Sequence, residues 1–167
     1  MPAGEAPHKR IDRDPGPEER YELCRVAAAG NDWLHVSRRE IDRPGPSYTV
    51  DTLQELVDTG PKDELYLIVG SDQAASLPSW REPEEILRLA TMGVGRRDGV
   101  GEEEVRSAIA RLAGAYRVTF FRMPGIEVSS SEVRRRVAVG RPYRYLVPEP
   151  VAQRIAERGL YRDEAGS

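Results

Sequence analysis

Apolar positions recur along the chain with two periods, about 3.6 residues in some stretches and 2 in others, and the alternation predicts its elements. From about Pro17 to Ala29, Leu23, Cys24 and Ala27 share one face and Glu18, Glu22 and Arg25 the other, with Gly30 as the stop, so a helix is predicted. Trp33 to Ser37 predicts a short strand. A helix that starts at Ser47-Tyr48-Thr49 carries Val50, Leu53, Leu56 and Val57 and ends at Gly60-Pro61. Leu65-Tyr66-Leu67-Ile68-Val69 is almost wholly apolar, as expected of a strand buried on both faces of a parallel sheet. Pro83 opens another helix with Ile86, Leu87 and Ala90 inward, and a strand follows from Thr91 to Gly95. Glu102-Glu103-Glu104 begin a helix whose stripe is Val105, Ala108, Ile109 and Leu112. Tyr116 to Met123 is the last strand, before a helix starting at Ser129 and another from Pro148 to Arg158, stopped by Gly159.

Met1 to Gly16 and Arg38 to Ser47 are rich in Pro, Gly and charge without periodicity, and read as loops. Strands alternating with helices predict an α/β chain with a doubly wound parallel sheet, in which ligands bind at the carboxyl ends of the strands. At 167 residues the expectation is a single domain over 1–161, followed by a frayed tail at 162–167.

Charge narrows the functional classes. Lys and Arg number 25 against 28 Asp and Glu, so no broad basic field exists to hold nucleic acid or an anionic membrane. Phosphate binding, if present, must be local. The single cysteine, Cys24, falls on the apolar stripe of its helix and is expected to be packed and reduced. The run Leu65 to Val69 is far short of the roughly 20 apolar residues that span a bilayer, and no signal-peptide pattern is present. A soluble, cytoplasmic protein is expected.

The stretch Ile126 to Gly140 concentrates the chemistry. Ser129 can cap a helix while Glu132 reaches back to the cap, ahead of Val133 and Val137, and Gly140 stops the helix. The hydroxyls of Ser129, Ser130 and Ser131, free backbone N–H groups, the positive end of the helix dipole and Arg134 one turn in make an anion site suited to a phosphate chain. Standing alone, the same pattern also describes a capped surface helix with solvated arginines. Elsewhere, Gly70-Ser71-Asp72 places a carboxylate after a glycine at a strand end, which suits ribose hydroxyls or an ordinary turn. Trp80 sits in a turn, as a stacking platform or a satellite core residue. Arg97 follows a strand, and His8 and Lys9 form a small cationic loop. Neither His8 nor His35 has partners at metal-ligand spacing, so no zinc site is expected.

Val128-Ser129-Ser130-Ser131-Glu132-Val133-Arg134 resembles the Ile-Ser-Ser-Thr-x-x-Arg signature of the nucleotidyltransferase superfamily, with Val128 and Ser131 as conservative departures. Further matches run in order: Pro2 to Lys9 resembles a Pro-x-x-x-x-Pro-His-Lys loop, and Arg43 to Leu53 a Ser-Tyr-Thr helix start. Ile68 to Asp72, Ser79-Trp80, Val94 to Arg97, Leu146 to Val151 and Gly159 to Tyr161 continue it. Together they resemble the bacterial nicotinate mononucleotide adenylyltransferases, which implies a Rossmann-like nucleotidyltransferase fold.

The resemblance further implies adenylyl transfer from ATP, carried with Mg2+, to nicotinate mononucleotide in NAD biosynthesis. It assigns Thr49, Trp80 and Arg81 to the nicotinate ring and its carboxylate, and Arg97 to the mononucleotide phosphate. Gly70 and Asp72 would face the adenosine, Ser129, Ser130 and Arg134 the ATP phosphates, and His8 with Lys9 the phosphate region. Arg81 departs from the aromatic or bulky residue usual after the tryptophan, and Asp98 replaces a frequent proline. The family's Gly-Gly-Thr-Phe-Asp-Pro loop and His-x-Gly-His helix start do not occur, so no catalytic residue is identified. The expectation is an N-terminally truncated chain without its first βα unit, either a fragment or a start misplaced at an internal GTG codon. Two alternatives stay open: a non-catalytic remnant that binds a mononucleotide or a partner protein, and a related transferase with another acceptor, such as nicotinamide mononucleotide or phosphopantetheine. Oligomeric state stays open as well.

Overall fold

Three aliphatic stretches pair into a parallel sheet in the computed structural model, which describes residues 1–5, 12–96, 101–124 and 128–162. In chain order the elements are α1 (Pro17–Ala28), α2 (Arg39–Asp42), α3 (Thr49–Thr59), β1 (Tyr66–Gly70), α4 (Ser71–Ala75), α5 (Pro83–Leu89), β2 (Thr91–Arg96), α6 (Glu102–Ile109), β3 (Val118–Arg122), α7 (Ser130–Ala138) and α8 (Glu149–Arg158). Strand order is β1-β2-β3, all parallel, with Gly70 opposite Gly95 and Met92 opposite Val118. The α/β alternation expected from the sequence is present.

The chain forms two compact units, Tyr48–Ile126 and Met1–Ser47 with Glu127–Ser167. The first contains the sheet. Side chains alternate across a strand, so Leu67, Val69, Met92, Val94, Val118 and Phe120 meet one face, where Val50, Leu53, Ala74, Leu77, Ile86, Leu87, Val105 and Ile109 from the helices close the core. Leu77, Ile86, Leu87, Met92, Val94 and Val105 are fully buried. On the opposite face β2 carries Gly93 and Gly95, and Ile68, Phe121 and Met123 lean over them. Tyr66 and Ile68 are 57% and 58% exposed, so β1 is buried on one face only, not on both as its composition suggested.

The second unit packs α1, α7 and α8 around Val133, Val137, Val151 and Ile155, with Leu23, Val26, Leu160 and Tyr161 at the margin. Glycines end two of these helices in the left-handed conformation, Gly140 at φ 66° and Gly159 at φ 62°. Each is followed by a backbone bond to the sixth residue back, Arg141 N–H to Arg136 O and Leu160 N–H to Ile155 O, which satisfies carbonyls the helix end leaves open. Arg154 on α8 pairs with Glu19 on α1.

Two expectations fail in this unit. Trp33 to Ser37 forms no strand: Trp33 N–H donates to Asn31 Oδ1 and Leu34 N–H to Asn31 O, a turn that leaves Trp33 92% exposed. A strand needs a ladder partner, and among the described residues none pairs with this segment. Cys24 and Ala27 are exposed, and the inward stripe of α1 is instead Leu23 and Val26, three residues apart. Of the tail after Tyr161, residues 163–167 lie outside the described set.

The N-terminal stretch is drawn against the loop before α3. Ser47 is buried and its hydroxyl accepts the Gly4 N–H at 3.0 Å, Ser47 N–H donates to Glu5 O at 2.8 Å, and Arg20 donates to the carbonyls of Ala3 and Gly4. A methyl group on Gly4 would lie 2.3 Å from the Glu40 carbonyl oxygen. Gly4→Ala is therefore expected to destabilise the protein by about 1 to 3 kcal/mol through forced backbone displacement; a thermal melting curve identical to wild type would refute this close approach.

Candidate functional site

The carboxyl edge of the sheet carries several of the residues singled out by the sequence. Gly70 ends β1 in extended conformation, and a Cβ there would sit 2.8 Å from Asp72 Oδ1, so the carboxylate folds back over the glycine. Among the described residues the Asp72 carboxylate makes no hydrogen bond or ion pair. Ser71 between them is buried, with a hydroxyl that has no partner. The sequence reading passed over this orphaned polar atom. Burial without a bond costs about 1 to 3 kcal/mol, and no local pattern marks it.

Thr49 is the first residue of α3 and is half-buried, with Tyr48 as its N-cap. Trp80 follows a short 3₁₀ turn over Leu77–Ser79; its ring packs against the core of the unit, and Nε1 donates to Ser76 Oγ at 3.1 Å. Its next neighbour, Arg81, returns to the start of α3. The Arg81 guanidinium lies 4.8 Å above the centroid of the Tyr48 ring, a cation–π distance, and 3.6 Å from Asp51 Oδ2. Thr49, Trp80 and Arg81, far apart in sequence, thus belong to one corner of this unit. Tyr48 and Asp51, which the sequence reading did not select, tie that corner together. Arg97, and in the other unit His8 and Lys9, lie outside the described residues.

In the other unit, the nine-residue helix α7 starts as predicted: Ser129 Oγ accepts the Glu132 N–H at 3.1 Å. Only half of the expected capping box forms. Glu132 does not reach back to the cap but turns along the helix, accepting bonds from Arg135 at 2.7–2.9 Å and from Arg136 Nε at 2.7 Å. Charge-assisted bonds to two guanidiniums outcompete a single neutral backbone N–H. The hydrogen bonds of Arg136 and Arg135 hold the Glu132 carboxyl below its ordinary value. Arg134 is left without a carboxylate among the described residues and donates to Ser131 Oγ at 3.1 Å. Ser129, Ser130 and Ser131 are exposed. The start of α7 therefore offers free N–H groups, hydroxyls and one unneutralised cation, an arrangement that attracts phosphate oxygens.

Among the described residues no three His, Cys, Asp or Glu side chains group to hold a metal ion, and no helix is long and apolar enough to cross a membrane.

Comparison with known proteins matches residues 1–136 to the cytidylyltransferase-like family. A probable nicotinate-nucleotide adenylyltransferase of Roseiflexus sp. (strain RS-1) is 44% identical over 162 residues, 97% of this chain and 81% of the relative. One from Thermomicrobium roseum is 41% identical over 97% of this chain and 76% of its own length. Among solved structures, a Plasmodium falciparum nicotinic acid mononucleotide adenylyltransferase complexed with NaAD superposes with a TM-score of 0.70 at 16% identity, covering 95% of this chain and 78% of that one. The same enzyme complexed with APC gives 0.66 at 16% identity, covering 88% and 76%. The fold is thus that of the Rossmann-like nucleotidyltransferases.

Two outcomes check the geometry of α7. Ser129→Ala removes the cap and is expected to cost about 1 kcal/mol, read from urea denaturation. Because the folded-state pKa of Glu132 is lowered, its stabilisation is present at neutral pH and is lost as pH falls below the ordinary carboxylate range. Glu132→Gln should therefore flatten the acid limb of a stability-versus-pH curve; an unchanged limb would exclude the pairing with Arg135 and Arg136.

Proposed function

Since the chain belongs to the cytidylyltransferase-like family and groups there with the nicotinate-nucleotide adenylyltransferases, we propose that it transfers an adenylyl group from ATP to nicotinate mononucleotide, a cytoplasmic step of NAD biosynthesis. An oxygen of the mononucleotide 5'-phosphate attacks the α-phosphorus of ATP, the bond to the β-phosphate oxygen breaks, and pyrophosphate leaves as the dinucleotide forms. Adenylyltransferases of this kind use a divalent metal with ATP. We assign Mg2+, which enters with the triphosphate as part of the substrate, carried on phosphate oxygens.

The observation that carries this reading is the start of α7, where Glu132 neutralises Arg135 and Arg136 and leaves Arg134 beside exposed serines. Ser129, Ser130 and Arg134 are assigned to the ATP phosphates, where in-line transfer gains most from fixed cations and N–H groups that need no reorganisation. The unpaired Asp72 carboxylate folded over Gly70 suits the hydroxyls of the adenosine ribose. Thr49 and the Trp80-Arg81 turn are assigned to the nicotinate end of the acceptor. Arg97 is assigned to its phosphate, and His8 with Lys9 to the triphosphate region, by resemblance alone. No side chain needs to form a covalent intermediate, and positioning supplies most of the rate.

The purified chain, mixed with ATP, Mg2+ and nicotinate mononucleotide, is expected to release pyrophosphate and nicotinate adenine dinucleotide in equal amounts, and chelation of the metal to stop both. Arg134→Met removes one charge-assisted phosphate contact and is expected to raise KM for ATP about tenfold while moving KM for the mononucleotide much less. Absence of dinucleotide, together with no measurable ATP binding, would defeat the proposal.

A further inference from the structure

We propose that the side chain of Arg81 reads the acidic group of the acceptor and sets its preference for a pyridine carboxylate over a carboxamide. The inference rests on the function proposed above and concerns the same corner of the sheet-bearing unit. Its basis is an arginine whose donors are unspent. Arg88, Arg106, Arg135 and Arg144 each hold a carboxylate through two of their nitrogens. Arg81 makes no hydrogen bond among the described residues: its nearest acceptors are Glu82 Oε1 at 3.5 Å and Asp51 Oδ2 at 3.6 Å. The guanidinium is nevertheless positioned, because it lies at 4.8 Å over the Tyr48 ring and its side chain remains half exposed.

A planar cation with free N–H groups, resting on an aromatic face beside the first turn of the eleven-residue helix α3, matches the planar anion of a carboxylate. Thr49 opens that same turn, so the guanidinium and the hydroxyl address one end of an acceptor. Glu82, directly after Arg81, occupies the left-handed region at φ 50°, so the chain turns sharply at this point. Asp51 and Glu82 sharpen the effect. With Arg81 in place they balance its charge loosely; with Arg81 removed, two carboxylates face the incoming one. An uncharged amide would sense neither change strongly.

The test is equilibrium binding of nicotinate mononucleotide and of nicotinamide mononucleotide to the full chain by calorimetry. Wild type is compared with Arg81→Met, which keeps the apolar stem, and Arg81→Lys, which keeps the charge. Wild type is expected to favour the acid, Arg81→Met to lose that acid-to-amide ratio by about tenfold or more, and Arg81→Lys to retain most of it. A ratio within about twofold of wild type in Arg81→Met overturns the inference. So does equal loss in both variants, which would trace the effect to shape. Wild type that binds neither mononucleotide overturns the proposed function itself, and the variants are not needed to see it.

Discussion

A parallel ladder sets its strands in phase, and here the register puts Gly70 directly opposite Gly95. The ends of β1 and β2 are therefore level, and the segments after the two strands leave from the same edge. Everything chemically distinctive in this unit depends on that alignment. The buried face, from Leu67 to Phe120, fixes the register, because a slip of one residue would turn every aliphatic side chain toward water. The glycine at the end of β1 then does what no other residue could without disturbance: it leaves room for the Asp72 carboxylate to fold back over the strand end.

Surface ion pairs contribute little to stability, yet here they decide which cations remain for other purposes. On α7, three consecutive arginines come after one glutamate, and helical spacing lets Glu132 engage the residues three and four positions on. Arg134, two positions on, points away and stays uncommitted. In the other unit, stacking on Tyr48 holds Arg81 where a short salt bridge would have consumed its donors. Geometry and helical period, more than net charge, create the local positive character that an acidic chain needs in order to hold anions.

Much of this was legible in the sequence because it is written in local rules. Gly140 and Gly159 stop helices, Pro83 starts one, and Ser129 caps another, all from residue type and spacing. The unread features all need a partner from a distance or a competition between neighbours. The Trp33 stretch has strand-like composition, but Asn31 captures two of its N–H groups and no ladder partner is present among the described residues. The Cys24 stripe was misplaced because alanines and a cysteine carry too little apolar bulk to outweigh Leu23 and Val26. Glu132 matched the capping-box spacing, yet the two arginines after it bind its carboxylate more strongly than the backbone does. Neither the anchoring of Gly4 by Ser47 nor the stacking of Arg81 on Tyr48 leaves any trace in periodicity, since both join residues more than thirty positions apart.

The outward placement of Cys24 changes the covalent chemistry open to this molecule. As the single thiol in the sequence, and one on the solvent side of α1, it has no intramolecular partner but an unobstructed path to an external one. Any disulfide it forms joins two molecules. The same thiol is a unique attachment point for a reporter group, on a helix whose inward residues Leu23 and Val26 would be undisturbed.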